Sequence, residues 1–218
     1  MELPQVIVAL DLGKYKHVAR LMVQMGLQTK GRRRFKGTTQ RAETHRRAPN
    51  LLAGNFTAPQ PNEKWLSDIT YIPTDEGWLY LAGIQDVFSR RIVGWSMSER
   101  LTKSLVVAAW KLAVGQCGVP QLHHSDQGSQ YTSHDYLRLL EKDHVLLSMS
   151  DVGRCYDNAM QESFWGTLKT ECADRPFPSR AAARKAIFEY IEVWYNRQRR
   201  HSALGYLSPC AFEQLARP

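Results

Sequence analysis

The stretch HHSDQGSQYTS (residues 123–133) and, after a spacer, the stretch DVGRCYDNAMQESFWGTLKTE (residues 151–171) decide the fold of this chain. In the first stretch, Asp126 ends a short apolar segment and precedes Gln-Gly-Ser, which indicates a strand that runs into a turn. In the second, Glu162 lies early in a segment whose apolar residues recur every four positions, which predicts a helix with one buried face. The residues of that face are Met160, Phe164, Leu168 and Cys172, with Trp165 beside them.

The start of this helix carries a capping pattern. Asn158 is predicted as the N-cap residue, and Gln161, three positions later, as its capping-box partner. Glu162 and Lys169 are two helical turns apart, so both project from nearly the same side of the helix. An acid and a base beside a buried face, with Asp126 at a strand end, fit a site that processes a polyanion. They fit equally a solvated helix edge and a turn aspartate.

The remaining segments predict an α/β order with one mixed sheet. Runs of β-branched and aromatic residues, separated by short turns, predict three strands in a meander, after which helices and strands alternate. The predicted strands are 65–73, 78–88, 91–99, 122–126 and 145–149, and the predicted helices are 102–116, 131–142, the Glu162 helix and 181–199. The last helix is predicted to bury Ala186, Tyr190, Val193 and Trp194 and to end in Arg197, Arg199, Arg200 and His201.

Three motifs, HSDQGSQY, GRCYDNAMQESFWGTLKTE and YNRQRRHSALGYLSP, resemble the catalytic domain of bacterial insertion-sequence transposases. The likeness is to the second-frame (OrfB) products of the IS-three family, which belong to the retroviral-integrase superfamily. That superfamily carries an Asp-Asp-Glu triad, and in this branch thirty-five residues separate the second and third acids, as they separate Asp126 from Glu162. The first acid would be Asp68, in the element KWLSDITYIPT.

The resemblance implies a ribonuclease H-like fold and a metal-dependent site. In that fold Asp68 would lie on the central first strand, Asp126 at the end of the neighbouring fourth strand, and Glu162 on a helix above both. Hard oxygen ligands select Mg²⁺ or Mn²⁺, and two such ions about 3.5–4 Å apart would serve an in-line displacement at phosphorus. Without metal, the three acids would repel one another and raise their pKa values.

Other residues compete for a place in such a site. Asp86, in the second strand, is interpreted as a strand-end or turn aspartate. Asp157 lies before the Glu162 helix and is interpreted as a capping residue. His123 and His124 could bind zinc together with Cys155, but no further Cys or His completes a tetrahedral spacing. Structural histidines are therefore the favoured interpretation.

The net charge of +8 is carried by the N-terminal part of the chain. Residues 1–47 hold eleven Lys and Arg against three Asp and Glu, whereas residues 48–218 hold eighteen of each. We predict a basic, helical appendage over 1–47 and a linker over 48–62. The resemblance implies that the appendage is a remnant of a helix-turn-helix region and that residues 63–218 are an integrase-like catalytic core. The basic run predicts phosphate contact or a solvated tail, and its candidate DNA-binding residues are Arg32, Arg33 and Arg34.

Five residues of the catalytic core are candidate DNA contacts. Lys169 shares a helix face with Glu162 and would point at phosphate beside the cleaved bond. Gln127, Ser129, Arg154 and Tyr156 lie on turns that flank the acids, and a solvated role is the alternative for each of them.

By resemblance, the chain is expected to be the catalytic subunit of a DNA transposase that cuts 3′ ends and transfers strands. The expected partners are element and target DNA, the upstream-frame OrfA protein and further copies of the chain. The four scattered cysteines and the absence of a long apolar run predict a cytoplasmic protein without a membrane span. The DNA function that the resemblance implies would place it on the nucleoid. The rival functions are a catalytically silent DNA-binding regulator and a ribonuclease H-type nuclease that does not join strands.

Overall fold

The computed structural model describes residues 24–26, 48–150 and 158–216. The chain divides into two units, Met1–Arg34 and Phe35–Pro218. Of the first unit only residues 24–26 are described, so the predicted basic helical appendage otherwise lies outside the described residues. All elements below belong to the second unit.

Five strands form one mixed sheet in the order β3-β2-β1-β4-β5. β1 pairs with β2 and β2 with β3 in antiparallel fashion, while β4 runs parallel to both β1 and β5. The α/β class and the mixed sheet predicted from the strand pattern are therefore confirmed. The strands are β1 (Lys64–Thr74), β2 (Gly77–Asp86), β3 (Ile92–Ser98), β4 (Leu122–Ser125) and β5 (Leu146–Met149).

Helices follow the third, fourth and fifth strands and cover the sheet on both faces. They are α1 (Lys103–Cys117), α2 (His134–Lys142), α3 (Ala159–Glu171), α4 (Arg180–Glu189) and α5 (Pro209–Leu215). Helix α2 begins three residues later than predicted, because Tyr131 and Thr132 donate their backbone N–H groups to the carbonyl of Gly128 in a turn.

The predicted helix 181–199 is wrong in its geometry and in part of its buried face, although Tyr190 is buried as predicted. Helix α4 ends at Glu189, and residues Tyr190–Tyr195 continue it as a π-helix. Val193 and Trp194, predicted to be buried, are 48% and 44% exposed. Other residues, which recur every four positions, are buried instead. A π-helical turn is wider than an α-helical turn, so it keeps these residues on one side of the helix. Its members are Ala183, Ile187, Ile191 and Tyr195.

Two apolar clusters cover the two faces of the sheet. Successive side chains of a strand point to opposite faces, so Leu79 and Leu81 of β2 join one cluster while Ala82 and Ile84 join the other. The first cluster includes α3 and α4, whose Phe164, Trp165, Leu168 and Ile187 pack on the sheet. The second includes α1 and α2, through Leu105, Val106, Trp110, Tyr136 and Leu140. Helix α3 is thereby pressed against the face of β1 and β2.

The segment predicted as a linker, residues 48–62, packs on this core. Leu52 is 1% exposed and joins a third cluster with Leu66, Val87 and Met160. The backbone N–H groups of Leu51 and Leu52 donate to Ser148 Oγ at 2.9 and 3.2 Å. Although this segment has no helix or strand, it therefore contributes to the packing of the domain.

Replacing Gly94 by alanine should destabilise the protein by about 2 kcal/mol, the range of an overpacked core. Gly94 lies in β3 against α1, and an added Cβ would lie 2.5 Å from Ala113 Cβ and closer still to the Ala109 carbonyl oxygen. Urea unfolding measures the change. Gly115→Ala, in α1, is the matched control because nothing lies within 4 Å of its Cβ position. That change should raise stability by up to ~1 kcal/mol through helix propensity, and equal effects of the two substitutions would contradict the packing.

In residues 24–26, 48–150 and 158–216, no helix has the length and apolar character that crossing a membrane requires.

Candidate active site

Three acids lie on three elements that meet at one end of the central strands. Asp68 lies within β1, Asp126 directly follows β4, and Glu162 lies in the first turn of α3. β4 pairs in parallel with β1 through Leu66 and His124, so both acids come two residues after the same paired positions. Glu162 is exposed, while Asp68 and Asp126 are half-buried.

The electrostatics of Asp68 show that the three acids are neighbours. The pKa of Asp68 is raised from 3.8 to about 7, first by burial and then by the negative charge of Asp126, with a smaller contribution from Glu162. Two hydrogen bonds act in the opposite direction. The Ile69 N–H donates to Asp68 Oδ1 at 2.8 Å, and the Trp165 Nε1–H donates to Asp68 Oδ2 at 2.9 Å. Burial and like charge outweigh these two donors, as expected for carboxylates that share a site.

Asp126 is held in place by the turn that follows it. Burial raises its pKa, and the Gly128 N–H, which donates to Asp126 Oδ1 at 2.9 Å, lowers it. A Cβ at position 128 would lie only 2.9 Å from the same oxygen. A larger residue at position 128 would therefore move the Asp126 carboxylate from this position.

The donor chemistry of the three acids fits a hard divalent cation, because every available ligand atom is a carboxylate oxygen. Within the described ranges, however, no three His, Cys, Asp or Glu side chains stand close enough together to hold a metal ion. The carboxylates repel one another, and both oxygens of Asp68 are engaged by N–H donors. The three acids are therefore near one another, but their side chains are not close enough to bind one metal ion together.

Two polar side chains that we predicted to cap helix α3, Asn158 and Gln161, bond the helix to the sheet instead. Asn158 is the N-cap residue, but its side chain makes no cap hydrogen bond. Its Nδ2 donates instead to the Ser67 carbonyl at 3.5 Å, and Gln161 Nε2 donates to the Gly83 carbonyl at 3.2 Å. The predicted capping box is therefore wrong, because Gln161 is fully buried against β2 and cannot reach back to the helix start.

Two further residues contact or approach the acids and were not singled out from the sequence. Trp165 donates to Asp68. It lies three residues after Glu162 and therefore on the same side of the helix, which is the sequence signal that could have identified it. Tyr131 is buried, and burial followed by the charges of Asp68 and Asp126 raises the pKa of its phenol. Tyr131 therefore stays protonated near Asp68 and Asp126.

Lys169 lies in the last turn of α3, the helix that carries Glu162 in its first turn. Its Nζ is 4.9 Å from the centroid of the Tyr71 ring. Burial lowers the pKa of Lys169, while the charge of Asp68 raises it. The effect of the Asp68 charge on Lys169 indicates that this cation lies near the acidic cluster.

The other predicted DNA contacts divide into described and undescribed residues. Gln127 donates its amide to the Ser150 carbonyl at 2.9 Å, which fixes the turn after β4, and Ser129 is exposed on that turn. Several candidates lie outside the described residues: Arg154, Tyr156, Arg32, Arg33 and Arg34.

The competing acid and the two histidines have structural roles. Asp86 is fully buried at the end of β2, where its carboxylate accepts from the backbone N–H groups of Asn62 and Ser89, both at 2.9 Å. His123 bonds to the Tyr136 hydroxyl, and His124 to the hydroxyls of Ser148 and Ser150. The interpretation of Asp86 as a strand-end aspartate is confirmed. Asp157 and Cys155 lie outside the described residues.

Two arginines at the end of the last predicted helix, Arg197 and Arg199, also form bonds within the protein. Arg199 pairs with Glu171 at 2.9 Å, and Arg197 Nε donates to the Glu192 carbonyl at 3.0 Å. The first bond ties the segment after the π-helix to α3, and the second ties that segment to the π-helix itself.

Comparison with known proteins gives consistent matches. Residues 58–155 and residues 143–209 match two families described as integrase core domains. The chain is 48% identical over 200 residues to the insertion element IS600 uncharacterized 31 kDa protein of Shigella sonnei, covering 90% of this chain and 74% of that one. It is 46% identical over 201 residues to the transposase InsF for insertion sequence IS3A of Escherichia coli (strain K12), covering 91% of this chain and 70% of that one.

Solved structures of retroviral proteins show the same fold at low sequence identity. A chain of the simian T-cell lymphotropic virus intasome in complex with PP2A regulatory subunit B56 gamma has a TM-score of 0.62 and 18% identity, over 79% of this chain and 60% of that one. The HTLV-2 integrase catalytic core domain, solved in complex with magnesium, has a TM-score of 0.53 and 17% identity, over 71% of this chain and 97% of that one. The predicted ribonuclease H-like fold is confirmed by this likeness.

Proposed function

The chain belongs to the IS3-type insertion-sequence transposases with an integrase core domain, and we propose that it is the catalytic subunit that cuts element ends and joins them to target DNA. The observation that carries this proposal is the convergence of Asp68, Asp126 and Glu162. Burial raises the pKa of Asp68 to about 7, with further contributions from the charge of Asp126 and, to a smaller extent, of Glu162. Such a raised pKa is typical of acids at a functional site.

In this proposal the three acids hold divalent cations, Mg²⁺ or Mn²⁺, as two ions. When bound, a pair of such ions activates the attacking oxygen and stabilises the leaving oxygen of a displacement at phosphorus. Asp68 and Asp126 contribute from the rigid sheet, and Glu162 contributes from α3. Lys169, at the edge of the cluster, binds the phosphate next to the scissile bond and offsets its charge.

The same site serves two successive steps. Water attacks a phosphodiester at the element end and releases a 3′-hydroxyl, which then attacks a phosphodiester of the target strand. Neither step needs a covalent bond between protein and DNA. The buried Tyr131, the tyrosine beside the acids, keeps its proton because its pKa is raised by burial and by the acids themselves, so it is a poor nucleophile.

The partners in this proposal are DNA, the upstream-frame OrfA protein and further copies of the chain. The OrfA protein supplies recognition of the element ends, and a multimer holds both ends together. The protein acts in the cytoplasm, on the nucleoid. Gln127, Ser129, Arg154, Tyr156 and the arginines at 32–34 are further DNA contacts.

A joining assay tests the proposal against its rivals. The protein, with and without the OrfA protein, is mixed with an oligonucleotide carrying the element end, a labelled target DNA and either Mg²⁺ or EDTA. We expect Mg²⁺-dependent release of a 3′-hydroxyl and its covalent joining to the target. Cleavage without joining would indicate a ribonuclease H-type nuclease, and DNA retention without cleavage in either mixture would indicate a silent regulator.

Neutralising the basic run should weaken the salt dependence of DNA binding. Replacing Arg32, Arg33 and Arg34 with glutamine removes three cations, so the slope of log K against log[salt] should become less steep by about 2–3 units. Binding titrations at several salt concentrations measure that slope.

The matched control for this slope removes the same charge from the catalytic core. It replaces the exposed side chains of Lys111, Lys142 and Arg175 with glutamine. Its slope should stay that of the unmodified protein. An identical change in both triple variants would show that overall charge, rather than contact by the basic run, sets the slope.

A further inference from the structure

The indole of Trp165 joins the helix that carries Glu162 to the strand that carries Asp68. Trp165 is 6% exposed and packs in the cluster between α3 and the sheet. Its Nε1–H donates to Asp68 Oδ2 at 2.9 Å. Glu162 lies three residues earlier on α3, so the two side chains are neighbours on the helix surface. One helix therefore presents an acid to the site and a donor to the opposing acid.

The strand next to Asp68, β2, has a glycine at the place where the Trp165 indole approaches it. Asp68 pairs directly with Gly83 in the register of β1 and β2. A Cβ at Gly83 would lie 2.7 Å from Trp165 Cη2 and 3.1 Å from Gln161 Nε2. Glycine at this position leaves the space in which Trp165 lies, at the level of Asp68.

The two oxygens of Asp68 are each fixed by a single donor. The Ile69 N–H donates to Oδ1 and the Trp165 Nε1–H to Oδ2. An ionised carboxylate offers about four acceptor positions, so about two remain for a cation. With both oxygens anchored, the plane of the carboxylate is set, and with it the direction of the remaining lone pairs.

We propose that Trp165 is a positioning residue of the acidic site, whose N–H orients the Asp68 carboxylate for cation binding and couples it to the helix bearing Glu162. This inference rests on the proposed function, because it assumes that Asp68 binds a cation. Donors that orient a ligand typically change metal affinity by about 10–100-fold when they are removed. Trp165→Phe keeps a ring in the Gly83 space but removes the donor.

The test measures binding of Mn²⁺ alone, through the electron paramagnetic resonance signal of the free ion. We expect the Mn²⁺ dissociation constant of Trp165→Phe to rise about tenfold, with DNA retention unchanged. The matched control is Trp110→Phe. Trp110 is buried and donates its Nε1–H to Asp143 Oδ2 at 2.7 Å, so the control loses an indole–aspartate bond of the same kind away from the site. Equal Mn²⁺ affinity of the two variants would overturn the inference.

Two additional proteins separate the possible failures. Asp68→Asn should abolish one Mn²⁺ site; if it binds Mn²⁺ like the unmodified protein, the acidic site of the proposed function fails and this inference with it. If Asp68→Asn loses binding while Trp165→Phe does not, the inference alone fails. Should Trp165→Phe not fold, 3-benzothienylalanine at position 165 keeps the shape of the indole but lacks its N–H. Weakened Mn²⁺ binding then supports the positioning role, and undiminished binding overturns it.

Discussion

Asp126→Asn should lower DNA cleavage by at least about a thousandfold, which corresponds to about 4 kcal/mol of transition-state stabilisation. Asparagine keeps the shape of the side chain and an oxygen that can accept from the Gly128 N–H, so the turn after β4 should be retained. What disappears is the negative charge that binds the cations on which the reaction depends. The protein should remain folded and should still retain DNA.

The control for the removed charge is Asp135→Asn. Asp135 is an exposed residue in the first turn of α2, outside the acidic cluster. Asp135→Asn changes the net charge by the same amount as Asp126→Asn does, and its DNA cleavage should remain at the level of the unmodified protein. Cleavage by Asp126→Asn within tenfold of normal would show that this acid does not take part in the reaction.

Asp68→Asn should gain stability relative to the unmodified protein as the pH rises to neutral and alkaline values, when divalent cations are removed with EDTA. The pKa of Asp68 is about 7 in the folded protein, against an ordinary value of 3.8. Below pH 4 both the folded and the unfolded chain bind this proton, so the group has no net effect on stability. As pH rises from 4 to 7, the unfolded chain releases the proton more readily, so the free energy of unfolding falls.

The pKa shift of Asp68 determines how much free energy of unfolding is lost as the pH rises. A difference of about 3 pKa units sets an upper bound of about 4 kcal/mol, and screening at the half-buried carboxylate reduces the expected value to about 2 kcal/mol. Urea unfolding at a series of pH values measures it. The amide of asparagine can accept from only one of the two N–H donors of Asp68, which lowers the stability of the variant by the same amount at every pH. Measured from its value at pH 4, the free energy of unfolding of Asp68→Asn relative to the unmodified protein should rise by about 2 kcal/mol above pH 7.

A matched variant isolates the cause of this pH dependence. Asp75→Asn changes an exposed aspartate on the turn between β1 and β2, and we expect it to follow the unmodified protein. A difference between Asp68→Asn and the unmodified protein that does not change with pH would contradict the raised pKa. A positive result would mean that the site costs stability in the absence of cations, as functional sites often do.

The framework of the fold was predictable because its signals are local. Alternation of apolar residues and the turn at Asp75-Glu76-Gly77 predicted the meander of β1, β2 and β3, and all five strands were placed to within two residues. The positions of Asp68 and Asp126 on adjacent strands followed from the family resemblance, and the structural role of Asp86 from its place at a strand end.

The errors lie where tertiary contacts compete with local patterns. Gln161 matched a capping box, but its amide satisfies the Gly83 carbonyl inside the core instead. The buried face of the last predicted helix was assigned to Val193 and Trp194, whereas the π-helical turn keeps Ile191 and Tyr195 on the buried side. A π-turn leaves no pattern that a count of helical spacing detects.

The bond between Trp165 and Asp68 required the register of the sheet. The turn between β1 and β2 places Asp68 opposite Gly83, and a glycine opposite an acid could have indicated a large side chain lying between them. Which side chain fills that space depends on how α3 packs on the sheet. The sequence pattern gives the buried face of α3 but not its position along the strands.

The most direct measurement is a crystal structure of the protein bound to element-end DNA and Mn²⁺, with the ions located by anomalous scattering. The proposal predicts two Mn²⁺ peaks about 3.5–4 Å apart, bonded to carboxylate oxygens of Asp68, Asp126 and Glu162. Peaks that leave out any one of these three acids, or no peak among them, would contradict it.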